Sequence, residues 1–395
     1  MKNIKSYKHA TYIDTFSINI QHENFNASLI YMISNIYMSI NCICHKSNYI
    51  NISKLSNLSN NVNHIRTYVL SGKSKIKLFF RYIISAFSNI IYLIFSKKES
   101  IIFFPFNNLF SLRLINTINF FLNRNIIIFC HGELEGVLED YRPNGFLAKL
   151  LKKLSCNFFN NRSVKIHNSI YFVVLGDKLL SNLSKILDND KLNHFLSIDH
   201  PYFFEKTVKS LNQINQINQN IINLGTIGTM TYSKGYMSLL SFLEKSLLSN
   251  SYNFVIVGKI YSDINLINKF DFVDLNYNKE LTRDEFNEII EKLNYVLYFY
   301  PRNSYTLTAS GAIMDSILHE KPIFAIKNDY FQYLFDKFGS FGILYENIDL
   351  MIQNFPKDLS NNTFNNFNYK ELKRRLSPDF ISYQLFDELS RIHFI

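Results

Sequence analysis

The chain has 395 residues, 47% of them hydrophobic and 19% charged, with a formal net charge of +10. That length is enough for two domains with separate cores, and the composition excludes a disordered or fibrous chain. A basic balance fits nucleic acid, an anionic membrane surface or anionic substrates, but the cations are scattered and no nucleic-acid motif joins them, so no nucleic-acid partner is expected.

The opening residues, MKNIKSYKHATYIDTF, lack the uninterrupted apolar core of a signal peptide, so a cytoplasmic location is expected. Apolar strand-like runs follow at Thr11–Phe16, Ile40–Cys44, Ile101–Pro105, Asn125–Cys130 and Ile170–Leu175. Between them lie helical patterns near Phe25–Met38, Ile76–Phe95, Leu109–Leu122, Gly145–Leu154 and Leu179–Leu187. Alternation of this kind predicts a mainly parallel, doubly wound sheet, and strands apolar along their whole length fit burial on both faces. Cys42 and Cys44 sit beside His45, but no second ligand pair at zinc spacing appears, so the four cysteines read as buried free thiols.

Leu78–Ser96 is almost wholly apolar, with lysines on both sides, and its length would nearly span a bilayer. Arg81, Ser85, Ser88 and Asn89 interrupt it, and it runs straight into the apolar stretch Ile101–Phe106. That pattern predicts a core helix leading into a buried strand, with a face that touches lipid beside its lysines.

After His200-Pro201 the texture changes to the polar, repetitive Ser210–Asn220, which reads as an inter-domain connection. The expected division is an N-terminal domain over 1–205, a second over 206–375, and a terminal helix in 376–395 that packs back toward the first. Strands then recur at Ile221–Leu224, Tyr252–Val257, Phe272–Leu275, Tyr295–Tyr300 and Ile323–Ile326. A helix runs from about Lys234 to Leu247, another is introduced by the capping-box pair Thr282 and Glu285, and a third covers Pro378–Ile392. Two such sheets facing each other would set their strand C-terminal loops around a common cleft.

The residues that carry chemistry cluster at those strand ends. Leu224–Gly235 reads LGTIGTMTYSKG: Gly228 allows close backbone approach, and Lys234 brings positive charge to the start of a helix. Gly258-Lys259 ends the next strand, and Asn276 follows the one after. Tyr305–Ile326 reads YTLTASGAIMDSILHEKPIFAI, in which Ser310-Gly311 opens a helix whose free amides and dipole can hold phosphate. Asp315, one turn further in, is placed to accept hydrogen bonds from a ribose. In the first half, FCHGELE follows an apolar strand and sets His131 and Glu133, with Glu135 close by, at a strand end.

The second half resembles the donor-binding domain of GT-B fold glycosyltransferases, most like the retaining group that makes bacterial surface polysaccharides. The likeness rests on Gly228 with Lys234-Gly235, on Val257-Gly258, and on Asp315 seven residues before Pro322. It implies two Rossmann-like domains around a cleft. It also implies a nucleotide-diphosphate sugar as co-substrate with no further cofactor, and a glycan or lipid-linked acceptor. The diphosphate would lie on Gly228, Thr229, Lys234, Ser310 and Gly311, with the ribose on Asp315. Thr229 stands where the family commonly has Arg, so Lys259 or Arg302 would assist Lys234, and Leu307 stands where the family has a second carboxylate. Gly258 and Asn276 complete the donor side. His131 matches a His that related enzymes place against the donor; in an inverting enzyme His131, Glu133 or Glu135 would take the acceptor proton.

The chain contains no Asp-x-Asp pair near a strand end, and lysines with the helix dipole would take the role of a metal. The expected activity is that of a hexosyltransferase in capsule or lipopolysaccharide synthesis, at the inner face of the cell membrane with a peripheral contact to anionic lipid. Two rival readings stay open: a nucleotide-sugar epimerase of the same fold, which would convert donor without acceptor, and a non-catalytic partner subunit.

Overall fold

The computed structural model describes residues 7–72, 74–204, 221–245, 252–279, 281–361, 364 and 366–395. The expected connection Ser210–Asn220 lies outside them. The chain divides into two compact units, one of Met1–Phe203, Leu307–Ala309 and Arg374–Ile395, the other of Phe204–Thr306 and Ser310–Lys373.

The first unit is built on seven parallel strands: β1 Tyr7–Ile13, β2 Tyr37–Cys44, β3 Val62–Arg66, β4 Ile101–Phe104, β5 Ile126–Phe129, β6 Ile170–Val174 and β7 Phe195–Ser197. Their order across the sheet is β3-β2-β1-β4-β5-β6-β7, so the winding reverses between β1 and β4. β4 and β5 are buried at every position, as strands covered on both faces must be. β1 stops at Ile13 because Asp14 turns the chain: its Oδ1 accepts from the amides of Phe16 (3.0 Å) and Ser17 (2.9 Å), and its Oδ2 from Asn26 (2.8 Å). β3 and β7 were not foreseen. The first is a polar edge strand and the second has three residues.

The second unit repeats the plan with β8 Ile222–Ile227, β9 Tyr252–Val257, β10 Val273–Asp274, β11 Tyr295–Tyr298, β12 Ile323–Ile326 and β13 Gly342–Tyr345, all parallel and ordered β10-β9-β8-β11-β12-β13. Its winding reverses between β8 and β11. The core on one face of this sheet is aromatic, with Phe242, Phe254, Phe299, Phe324 and Phe355 meeting around the helix Tyr236–Lys245. Rossmann-type sheets bind ligands outside the strand C-termini at such a reversal, so each unit has one privileged edge.

The helix Lys75–Phe95 departs from the expected core helix. Its buried residues are Arg81, Ser85, Ala86, Asn89 and Leu93, so its polar side faces the protein. The closing helix Pro378–Arg391 belongs to the first unit, where Asp379 accepts from the Tyr31 hydroxyl (2.8 Å) and Gln384 donates to Asp199 (2.8 Å).

The helix Arg283–Glu291 carries the foreseen capping box: Thr282 Oγ1 accepts from the Glu285 amide (3.3 Å), and Glu285 accepts from the Thr282 amide (2.8 Å). Thr282→Ala is expected to lower unfolding free energy by about 1 kcal/mol. Because the two bonds form one unit, Thr282→Ala with Glu285→Ala should cost less than the sum of the single changes, as read from urea titrations.

Candidate functional site

In the second unit, the turns after β8 and β9 are tied together. The Gly228 amide donates to the Val257 carbonyl (2.8 Å), the Met230 amide to the Lys259 carbonyl (3.0 Å), and the Tyr261 amide to the Met230 carbonyl (2.9 Å). Two of the glycines are there for want of space. A Cβ on Gly258 (φ +126°) would lie 2.5 Å from the Gly228 carbonyl oxygen, and one on Gly235 (φ +85°) 1.8 Å from that of Phe299. The second clash shows where Lys234-Gly235 lies: directly against the end of β11, at the winding reversal.

The same edge receives the helix Gly311–Leu318. A Cβ on Gly228 would be 3.9 Å from the Ala312 side chain, which sets the first glycine turn beside the first turn of this helix. Ser310 is the N-cap but does not cap, and its buried hydroxyl has no hydrogen-bond partner among the described residues. The amides of Gly311, Ala312 and Ile313 likewise make no hydrogen bond among the described residues. Space above Gly311 is open, with nothing within 4 Å of where a Cβ would be. An uncapped helix start beside glycine turns has amides and a dipole that can hold an anion.

Lys234 completes the electrostatics. Its amide is held by Thr231 (3.2 Å), while its half-buried ammonium has no ion pair or hydrogen-bond partner among the described residues. Burial pushes the Lys234 pKa down, the mark of a cation that lacks a counter-charge. Lys259 is exposed, its ammonium 5.1 Å from the Tyr261 ring centroid. Arg302 is exposed and held by Glu346, which also accepts from Lys327 (2.8 Å). Thr229 and Asn276 are exposed at the turn tips. In the turn Gly258–Ile260 it is Asn278 that does the holding, accepting from the Ile260 amide (2.9 Å), while Tyr277 accepts from Gly258 (3.3 Å).

Asp315 is almost fully buried and receives Arg283 Nη2 at 2.6 Å. Arg283 was not foreseen as a site residue. It opens the capped helix, and nothing in its spacing links it to Asp315, 32 positions away. The pair fixes the position of the Asp315 carboxylate.

In the first unit, His131 and Glu133 come together after β5. The His131 amide donates to Glu133 Oε2 (2.8 Å), and Nε2 of the ring lies 3.0 Å from the Pro105 carbonyl. A carbonyl can only accept, so Nε2 carries the proton and Nδ1 keeps its lone pair in the neutral ring. Burial, then the His22 and His200 charges, hold the His131 pKa well below the usual range, so the ring is neutral near pH 7. His22, Phe25 and His200 form the surroundings that sequence reasoning missed. The rings of His22 and Phe25 lie 5.2 and 4.4 Å from that of His131, and His200 lies 5.7 Å from Phe25. Burial pushes the Glu133 carboxyl up to about 7, so it can both give and take a proton near neutrality. Glu135 Oε1 accepts from the Leu307 amide (2.9 Å), which occupies it structurally.

Histidines elsewhere are engaged in structural roles: His45 caps a helix, His64 stacks on Tyr49 (4.0 Å), His194 bonds Ile170 (2.8 Å) and His319 meets Glu291 (2.7 Å). The four cysteines are unpaired, and among the described residues no cluster of His, Cys, Asp or Glu has the makings of a metal centre.

The sign of the Glu133 effect gives a test. Its folded pKa lies above the ordinary carboxyl value of about 4.3, so its stabilising contribution is complete below that value and lost as pH rises through about 7. Glu133→Gln keeps an acceptor for the His131 amide and removes this loss. The variant's stability relative to the parent should therefore rise between about pH 4 and pH 8, as read by denaturant titration at each pH.

No protein-family model matches this chain, and no curated protein matches it in sequence. Solved structures do match in shape. Anabaena HepE in complex with UDP and glucose is 11% identical, with a TM-score of 0.63 over 98% of this chain and 100% of that one. Sucrose-phosphate synthase from Thermosynechococcus elongatus is 11% identical, with a TM-score of 0.64 over 98% and 99%. WaaG, a glycosyltransferase involved in lipopolysaccharide biosynthesis, is 12% identical, with a TM-score of 0.57 over 97% and 99%. Together with the two parallel sheets, these matches establish the GT-B fold.

Proposed function

We propose that this chain is a glycosyltransferase that moves a hexose from a nucleotide-diphosphate donor to a glycan or lipid-linked acceptor of bacterial surface polysaccharide. The observation that carries the reading is the cradle at the second sheet's winding reversal. Among the described residues, three unbonded amides and an unbonded buried hydroxyl stand at the start of the Gly311 helix, whose Gly311 faces open space, and a desolvated ammonium without a partner belongs to the turn against the end of β11; all of them favour an anion. Neighbours of the same fold hold UDP, and one of them UDP-glucose, which supports a nucleoside diphosphate as that anion.

On this reading the donor's diphosphate lies over Gly228, Ser310 and Gly311, and the ribose hydroxyls reach the Asp315 carboxylate. As the bond from the sugar C1 to the diphosphate breaks, the amides and Lys234 receive the charge that develops on the leaving oxygen. Those groups supply positive potential without a metal, so metal independence is part of the proposal. His131 and Glu133 provide a neutral imidazole and a carboxyl titrating near pH 7 for proton handling in the first unit. The shape likeness to WaaG, a glycosyltransferase involved in lipopolysaccharide biosynthesis, supports surface polysaccharide as the setting; the cytoplasmic face of the membrane is the location this proposal adds.

A thermal-shift screen of nucleoside diphosphates and their sugars tests the cradle. One of them, UDP being the first to try, should raise the unfolding midpoint by several degrees at saturation. Lys234→Ala should abolish the rise while leaving the unliganded midpoint near that of the parent. Gly311→Ala should fold normally, since its Cβ meets only open space, yet weaken binding roughly tenfold by filling the space where phosphate would sit. No shift with any nucleoside diphosphate would favour the non-catalytic subunit, and conversion of donor without acceptor would favour an epimerase.

A further inference from the structure

The helix Lys75–Phe95 is amphipathic in the inverted sense. Arg81, Ser85 and Asn89, four residues apart, form a stripe turned inward, and their polar atoms are satisfied there. Ser85 Oγ and Thr15 Oγ1 are 2.7 Å apart, Asn108 donates to Ser85 Oγ (3.1 Å), and the Thr15 hydroxyl donates to Asn89 (2.8 Å). Arg81 donates to the Leu70 carbonyl (2.7 Å), the Gly72 carbonyl (3.1 Å) and Gln21 (3.1 Å). On the opposite side Ile76, Phe80, Phe87, Ile91 and Ile94 are all exposed. At 100° per residue they fall within an arc of about 60°. The helix cannot roll to hide this ridge without breaking the bonds on its polar side.

The ridge continues onto its neighbours. The helix Leu109–Leu122 packs beside it, and Phe146–Phe159 beside that. They add Phe121 and Phe146, which are 86% and 76% exposed, while Phe95 at the ridge's end is 81% exposed. Contiguous apolar surface of this kind on a water-soluble face calls for an occupant. Its chemistry is set by charge: the three helices contain seven Lys or Arg and no Asp or Glu. Exposed apolar side chains on helices whose charged residues are all cations, Arg81 alone of the seven being turned inward, complement the acyl–headgroup boundary of an anionic bilayer.

We infer that this three-helix layer is a membrane-docking face: the Phe and Ile ridge enters the interface, and lysines such as Lys77, Lys149 and Lys153 meet anionic headgroups. The helix Lys75–Phe95 is long and apolar enough to cross a bilayer. It lies on the surface instead, because crossing would strip Arg81, Ser85 and Asn89 of their partners beside β1 and β4. The inference stands apart from the nucleotide cradle, which belongs to the other unit.

The test is co-sedimentation of the full chain with phosphatidylcholine vesicles, with and without phosphatidylglycerol. The parent should bind the anionic vesicles, and salt should weaken that binding. Phe87→Ser combined with Phe121→Ser should reduce partition at least roughly tenfold. Lys149→Glu with Lys153→Glu should erase the preference for phosphatidylglycerol by a similar factor. Both variants should keep the parent's unfolding midpoint and its response to nucleoside diphosphate, which separates this inference from the proposed activity. Three results would overturn it: a parent that stays in the supernatant with both vesicle types, folded variants that bind as the parent does, or a dimer in solution that the Phe substitutions dissociate, which would give the face to a second copy.

Discussion

The donor-side geometry depends on backbone meeting backbone where no side chain fits. The strand ends of β8, β9 and β11 lie close enough that a methyl group at Gly235 or Gly258 would overlap a carbonyl oxygen. This crowding draws the Lys234 turn against Phe299 and the Gly228 turn against the start of the Gly311 helix. The chain then leaves that helix start uncapped, although Asn328 and Ser377 cap the starts of later helices through their side chains. Other helices, after His22, Gly145, Gly176 and Asp188, also start without a side-chain cap; at Ser310 the missing cap, a local cost of the order of 1 kcal/mol, falls at the winding reversal, where a ligand would restore it.

Charge follows the same logic in both units. Lys234 carries a burial penalty with no counter-ion among the described residues, so an arriving anion would displace none of these as a partner. Arg302, by contrast, is committed to Glu346. In the first unit, burial drives His131 toward neutrality and Glu133 toward protonation, so two groups that would be charged in water are brought close to neutral at pH 7. Pairs of titratable groups displaced in opposite directions are what proton-transfer chemistry requires.

Much of this was legible in the residues because parallel sheets write a plain signature. Runs such as Ile101–Phe104 and Ile323–Ile326 are apolar throughout, and the alternation with helices fixed the doubly wound plan. What escaped was either short or carried by partners distant in sequence. β3 reads VNHIR, whose polar alternation suits an edge strand and resembles a loop. The Ser310 turn could be found from its own letters, since an uncapped Ser-Gly helix start is a local property. Arg283 and Asp315, or His22, His131 and His200, meet only because the winding brings separate strand ends to one edge, and no periodicity reports that. Direction is the other hidden quantity. The apolar run at Lys75–Phe95 reads as a core helix from its mean hydropathy, and only the positions of Arg81, Ser85 and Asn89 on a helical wheel show that the polar side points inward.

That inversion has a structural cause that ties the outer face to the inner edge. Thr15 follows β1 and Asn108 follows β4, the two strands at which the first sheet reverses its winding. Loops leaving a reversal expose hydroxyls and amides that need partners, and the helix passing over them supplies Ser85 and Asn89. With Arg81, Ser85 and Asn89 turned inward, the opposite arc of the helix carries Ile76, Phe80, Phe87, Ile91 and Ile94. The ridge of Phe80, Phe87 and Ile91 is therefore the geometric counterpart of a polar strand edge beneath it, fixed in orientation by hydrogen bonds to the loops that leave the first sheet's winding reversal. A surface held in that way sets the height of those loops above whatever it rests on, and with a bilayer beneath, it would hold them at a constant distance from the headgroups.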